Sequence, residues 1–161
     1  MPENSTKSVT EPQSVPESLN VSLLFQAHGK GVQIYGCTAR PDAPGQFEWK
    51  FKEPQANLYD DEGNVVGIHS VGPSWQAIDG SKVVGAVVAK VEQPDAIPWL
   101  LLRAVSNEGN GLFSEVIYIQ RLYTAGGKAP EGGCDQTHDQ AERLVPYTAE
   151  YLFYGPPAEE H

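Results

Sequence analysis

Short apolar runs with a period of two residues, separated by glycine and proline, constrain the fold of this chain most. In Gln46–Lys52 the aromatic residues Phe47, Trp49 and Phe51 alternate with polar and charged residues, which is the periodicity of a β-strand and not of a helix. Similar runs recur along the chain, and its 13 prolines and 16 glycines fall between them. The pattern predicts an all-β protein, either an antiparallel β-sandwich or a closed β-barrel with about nine or ten strands.

Turn residues place the strands and pair several of them into hairpins. The clearest predicted strands are Val21–Ala27, Gly31–Cys37, Gln46–Lys52, Asn57–Asp60, Val65–His69, Val83–Val91, Ile97–Val105, Leu112–Thr124 and Tyr147–Tyr154. His28-Gly29-Lys30 is predicted as one hairpin turn, and Asp61-Glu62-Gly63-Asn64 as another. Val83–Val91 is expected to be long and buried. The long C-terminal loop Ala125–Glu142, with at most one helical turn, is expected to cover a site.

One domain is predicted, since 161 residues suit a single hydrophobic core. Residues 1–18, rich in Ser, Thr, Glu and Pro, are predicted to be a disordered lead-in, 19–154 a single β domain and 155–161 a flexible tail. The lead-in lacks the positive start and apolar stretch of an intact signal peptide. No apolar run approaches the roughly 18 to 20 residues that cross a bilayer, so no membrane span is expected.

The net charge of −10, from 21 acidic and 11 basic side chains, argues against nucleic acid and anionic membrane surfaces as partners, because both would repel the chain. Arg103 and Arg121 lie within apolar strands and form no basic stripe. The expected partner is an unknown small molecule or polymer.

The two cysteines, Cys37 and Cys134, permit one disulfide, and each lies where a turn meets an apolar run. A pair of unrelated buried thiols is the alternative, and it would fit a cytosolic protein. A disulfide predicts a secreted or periplasmic protein. No C-x-x-C motif is present, which favours a structural bridge over a redox pair.

The densest cluster of chemically capable side chains is His69, Ser74, Trp75, Asp79 and Ser81, placed mostly on turns. Serine, histidine and aspartate can form an acyl-transfer triad, but no G-x-S-x-G elbow surrounds either serine, and ordinary turns use the same residues. Trp75 follows a glycine and a proline and is the best candidate for lining a pocket. Trp49 and Trp99 are expected in the core.

Histidines raise a metal-site alternative. His69 with a second histidine and an aspartate could bind zinc or copper, although no H-x-H or H-x-x-x-H spacing occurs. The side chains considered for this are His28, His69, His138, His161, Asp79, Asp135 and Asp139. No cofactor is predicted.

Five phrases in order resemble a known family: GVQIYGC, H-x-x-G-P-x-W at 69–75, IPWLLL, YIQR-x-x-T-x-G-G and VPYTAEYLFY. The chain is similar, from about residue 24 to 154, to mostly exported bacterial and fungal proteins known only as a domain of unknown function. Fungal members are sometimes labelled malate dehydrogenase, but the chain lacks the G-x-G-x-x-G of a dinucleotide site. The resemblance implies an exported β-rich domain with cysteines at positions 37 and 134.

These observations together favour an exported domain that binds a small or extended ligand without catalysis, through His69, Trp75, Asp79 and Ser81. Two alternatives stay open. The first is a zinc- or copper-dependent enzyme or redox protein that uses His69. The second is an adhesive or assembly module acting through exposed strand edges.

Overall fold

Eight antiparallel strands form one sheet that closes into a barrel in the computed structural model, which describes residues 19–157. Each strand pairs with the next along the chain, and β8 pairs with β1 to close the ring. The strands are β1 (Ser22–Ala39), β2 (Phe47–Tyr59), β3 (Val65–Ser70), β4 (Ser74–Ala77), β5 (Lys82–Gln93), β6 (Ala96–Glu108), β7 (Tyr118–Gly126) and β8 (Glu142–Gly155). The all-β prediction is confirmed, and of its two forms the barrel is present.

The predicted lead-in, 1–18, lies outside the described residues, as do residues 158–161 of the predicted tail. Gly155, assigned to that tail, is instead the last residue of β8. The described part of the chain contains no helix long and apolar enough to cross a membrane.

The prediction of a hairpin turn at His28-Gly29-Lys30 is wrong, because β1 runs through it as one strand of 18 residues. Gly29 and Gly31 do not reverse the chain here but allow close packing against β1. A Cβ on Gly29 would lie 2.5 Å from Cε2 of Tyr151, and one on Gly31 would collide with the Gln55 carbonyl oxygen. The two glycines let neighbouring strands and one interior ring approach β1.

Two other predicted strands also merge, and β4, which was not predicted as a strand, brings the total to eight in place of nine or ten. Gln46–Lys52 and Asn57–Asp60 are both parts of β2, which continues through Pro54. β3 pairs with β2 only from Ala56 to Tyr59, so Pro54 has a strand partner on one side alone. A proline is tolerated at such an edge position because no ladder hydrogen bond needs its missing N–H.

The last strand shows how the core is built. Tyr147, Ala149, Tyr151 and Phe153 alternate along β8 and are all buried, and their cross-strand neighbours on β1 and β7 face the same interior. Phe153 packs against Phe113 with ring centroids 4.6 Å apart. The part of the barrel interior that β8 faces is therefore filled largely by aromatic side chains.

Less of β5 is buried than the sequence predicted. Val83 is fully buried, but residues 86–90 are exposed. The reason is that β4 pairs with β5 only as far as Val84, beyond which β5 has β6 as its partner. The predicted strand Leu112–Thr124 likewise begins only at Tyr118, after a turn.

The predicted disulfide is confirmed: Cys37 in β1 is bonded to Cys134, with Cα atoms 5.5 Å apart. The long loop spans residues 127–141 and contains the 3-10 helix Gln136–His138. Cys37 exchanges backbone hydrogen bonds with this loop, donating to Ala141 and accepting from Gln140. The loop is thus fixed along the end of β1.

The prediction that Trp49 belongs to the core is wrong. Trp49 is half-buried, its Nε1–H donates to the Gly132 carbonyl oxygen at 2.9 Å, and the Arg143 guanidinium lies 5.3 Å from its ring centroid. Trp49 therefore packs against the loop. Trp99 is buried as expected, beside Tyr123.

Candidate functional site in the barrel cavity

A cavity of about 610 Å³ occupies one part of the barrel and opens to solvent between β2 and β5. We call it the barrel cavity. Its apolar and aromatic lining residues are Tyr35, Phe51, Pro54, Val71, Pro73, Trp75, Val87, Ile97, Pro98, Leu100, Leu102 and Tyr151, and its strongly polar ones are Gln33, Lys52, His69, Lys90 and Arg121. The volume lies in the range of pockets for small organic ligands.

The unequal lengths of the strands explain the opening. β3 and β4 are short, and the turn between them, which includes Gly72, lines the cavity. β2 and β5 continue beyond that turn on either side. Phe51, Val71 and Val87 line the cavity while remaining about half exposed, which identifies them as its mouth.

His69 and Trp75 lie deep in the cavity, opposite each other in the β3–β4 register. Both are nearly fully buried, and their rings stack with centroids 4.4 Å apart and an interplanar angle of 13°. Tyr151 of β8 meets the pair, 5.2 Å from His69 and 5.9 Å from Trp75. The sequence predicted His69 at the end of a strand and Trp75 on a turn, whereas both are interior strand residues of an aromatic wall.

His69 is neutral at physiological pH. Burial lowers the pKa of its imidazole to about 3, although its hydrogen bond to the Ser74 carbonyl oxygen, 2.9 Å from Nδ1, acts in the opposite direction. The nearby Arg121 guanidinium lowers that pKa further. Because a carbonyl only accepts, Nδ1 carries the proton and Nε2 carries a lone pair.

Arg121 is the cavity residue whose importance the sequence analysis missed. It faces the interior from β7, directly opposite Tyr151 in β8 and Leu100 in β6, and is only 7% exposed. Its Nε and Nη2 donate to the Pro98 carbonyl oxygen at 3.0 and 2.9 Å. An arginine between apolar residues of a strand was the available indication, since a buried charge needs a specific reason.

Asp79 and Ser81 lie apart from the barrel cavity, in the turn between β4 and β5. The Ser81 hydroxyl donates to Asp79 Oδ1 at 2.7 Å and accepts from the Phe113 backbone N–H at 3.0 Å. Asp79 Oδ2 accepts from the Leu112 N–H, and Oδ1 also accepts from the Ser81 backbone N–H. The Ser81 hydroxyl, followed by these two backbone N–H groups, lowers the pKa of Asp79. The two residues join this turn to the segment before β7.

Ser81→Ala is expected to lower the free energy of unfolding by about 1 to 3 kcal/mol, because it leaves the buried Phe113 N–H without an acceptor. Urea denaturation measures this change. Ser106→Ala, at an exposed position of β6, is the control and should be nearly neutral. A stable Ser81→Ala protein with altered ligand binding would return Ser81 to the binding site.

Other candidate groups are also separated. Ser74 Oγ donates to the Val71 carbonyl oxygen at 2.9 Å, and only the backbone carbonyl of Ser74 contacts His69, so serine, histidine and aspartate are not joined as a triad. His28 lies between Asp61 and Glu150 outside the cavity, and His138 pairs with Asp135 in the loop. Among residues 19–157, no three His, Cys, Asp or Glu side chains are grouped to hold a metal ion. His161 lies outside the described residues.

None of residues 127–141 is among the lining residues of the described structure, although Gly127, at the start of the loop, accepts a hydrogen bond from the lining residue Tyr35. The disulfide and the Trp49 contact hold the rest of the loop along the end of β1. The cavity mouth is bordered instead by strands β2 and β5 and by the β3–β4 turn.

The fold and this site together define a disulfide-bonded, closed antiparallel β-barrel with a ligand-sized internal cavity. Residues 17–155 match the model of the family described as "Protein of unknown function (DUF3455)", and because this match covers most of the chain, the protein belongs to that family. No curated protein and no solved structure matches the chain. The family description names no activity, so a function has to be argued from the cavity.

Proposed function

We propose that the protein binds a small, largely apolar molecule inside the barrel cavity without transforming it. The observation that carries this proposal is the cavity itself, which has a volume of about 610 Å³ and is lined by the stacked rings of His69 and Trp75. An eight-stranded barrel is just wide enough either to be filled by its own side chains or to hold one small ligand. This one leaves space beside a fixed aromatic wall, which favours the second case.

The chemistry of the lining supports binding over catalysis. No serine, threonine or cysteine side chain and no carboxylate is among the described lining residues. His69 has a pKa near 3 and bonds to a backbone carbonyl instead of to a nucleophile, and burial raises the pKa of the lining residues Tyr35 and Tyr151. General acid–base catalysis near neutral pH works best with a pKa near the operating pH.

Leu100→Trp is expected to weaken binding of a neutral apolar dye such as Nile red at least tenfold. Leu100 lines the cavity from β6, so an indole at this position would fill part of the space that the dye needs. A fluorescence titration measures the affinity and the stoichiometry, which is expected to be one dye per chain.

The matched control is Val105→Trp, which places the same side chain on the same strand at a 61% exposed position. It should bind the dye like the wild type. The proposal is wrong if the wild type shows no saturable binding, or if Leu100→Trp and Val105→Trp bind equally well.

We also propose that the protein is exported. The Cys37–Cys134 bridge supports this, because structural disulfides form and persist mainly in oxidising compartments. The measurement that tests export accompanies the disulfide prediction in the Discussion.

A further inference from the structure

The charges that line the barrel cavity are all of one sign. Lys52, Lys90 and Arg121 contribute to the lining, and no aspartate or glutamate does so among the described residues. This is the opposite of the chain as a whole, whose net charge is −10. A cationic lining in an acidic protein points to an anionic ligand, because low-dielectric walls concentrate the field of the charges they hold.

The three cations differ in what neutralises them. Lys52 lies 2.6 Å from Glu142 and Lys90 lies 3.3 Å from Glu92, and both lysine side chains are more than half exposed. Arg121 is 7% exposed and takes part in none of the ion pairs of the described structure. Arg121 therefore carries a buried charge that no carboxylate balances.

The groups around the Arg121 guanidinium supply no negative charge. An arginine stays protonated and has five N–H donors, of which two donate to the Pro98 carbonyl oxygen. Its charge acts on Tyr35, Tyr147, Tyr151 and His69. Burial raises the pKa of each tyrosine, so all four groups are neutral near pH 7. Burying a charge without a counter-charge is costly, and an anionic ligand would supply the missing one.

We infer that the ligand is an organic carboxylate whose single negative charge pairs with Arg121, while its apolar body packs against Trp75, Leu100 and Leu102. This inference rests on the proposed function. A carboxylate matches the fork of the guanidinium and carries one charge. A phosphate carries about 1.5 to 2 negative charges and three acceptor oxygens. Arg121 alone would leave much of that charge unmatched, because Lys52 and Lys90 are already paired with Glu142 and Glu92.

The first test compares ligand pairs that differ only in the charged group. Decanoate is paired with 1-decanol and cinnamate with cinnamyl alcohol, and each is titrated into the intact, oxidised protein near pH 7 by calorimetry. Each acid is expected to bind at least tenfold more tightly than its alcohol. Equal affinities within both pairs would overturn the carboxylate inference.

The second test uses Arg121→Gln, which keeps a planar polar end but removes the charge. The affinity for the acids is expected to fall about 10- to 100-fold, as for loss of a charged hydrogen bond, while the affinity for the alcohols changes little. Arg103→Gln is the control, since it removes the same charge from an exposed position of β6. It should leave both affinities unchanged.

The outcomes separate the two proposals. If Nile red, the acids and the alcohols all fail to bind the wild type, the cavity is not a ligand site and the proposed function fails. If alcohols and acids bind equally, or if Arg121→Gln retains the wild-type affinity for the acids, only the role of Arg121 fails. The wild-type ligand pairs decide the question even if Arg121→Gln does not fold.

Discussion

Replacing both cysteines, Cys37→Ala with Cys134→Ala, is expected to lower the free energy of unfolding by about 4 to 5 kcal/mol. The bridge joins residues 97 positions apart, and closing a loop of that length restricts the unfolded chain far more than the folded barrel. The figure is a large fraction of the 5 to 15 kcal/mol that is typical for a domain. The end of β1 and the attached loop should therefore become the weakest part of the barrel.

Urea denaturation with and without reductant measures the effect. Reductant should destabilise the wild type by about the same amount as the double substitution, and it should not affect the substituted protein, which serves as the control. A change below about 1 kcal/mol would show that the loop is held by its other contacts, such as the Trp49 hydrogen bond to Gly132.

The thiol state in native cells tests the proposed export with the same residues. Protein alkylated at the moment of lysis should contain no free thiol at position 37 or 134. Two free thiols would place the folded chain in a reducing compartment and contradict export.

The sequence predicted the fold class because each strand carries its own periodicity. Alternation in Gln46–Lys52 is a local property, and it survives in β2 whatever the neighbouring strands do. The disulfide could also be predicted, since two cysteines allow a single pairing. Barrel closure could not be predicted, because it depends on the pairing of β8 with β1, whose residues are far apart in the chain.

The errors in strand number arise where local sequence does not show what lies beside a strand. Glycine permits both chain reversal and close approach, and local sequence does not distinguish the two at Gly29 and Gly31. Only the interior ring of Tyr151 and the adjacent backbone of β2 explain why these positions exclude a side chain. The same reasoning applies to Pro54, which is tolerated because β3 ends early.

The candidate site was predicted in part. His69 and Trp75 were selected as chemically capable residues near each other in sequence, and they do line the cavity. Their depth was not predictable, because it follows from β3 and β4 being part of the closed sheet, with these two side chains buried on its inner face. Arg121 was missed because its significance depends on which charges surround it in three dimensions, and an apolar strand such as IYIQRLY does not specify them.

His69 is expected to make the barrel less stable as the pH falls below about 6.5. The unfolded chain takes up a proton at this residue near its ordinary pKa of 6.5, whereas burial keeps the folded imidazole neutral down to about 3. Unfolding therefore gains a proton in this interval, and the free energy of unfolding falls by about 1.4 kcal/mol per pH unit from this group alone. Over the whole interval the loss is about 5 kcal/mol.

His69→Phe removes this titration and retains a ring to stack on Trp75. Urea denaturation between pH 6.5 and 4.5 should give a shallower decline for His69→Phe than for the wild type, by close to one proton per molecule in the lower half of the range. Aspartates and glutamates contribute to both proteins and cancel in the difference. His69→Gln repeats the test without a ring, in case the phenylalanine packs poorly.

His28→Gln is the matched control, because this histidine has the opposite linkage. Its hydrogen bonds to Glu150 and Asp61 raise its pKa, so the stability it contributes is present below pH 6.5 and is lost as the pH rises through the folded value. Its replacement should therefore remove stability at acid pH, where replacement of His69 removes a penalty. Equal pH dependence in the wild type and His69→Phe would mean that the imidazole becomes charged inside the barrel, and the neutral, buried state assigned to His69 would be wrong.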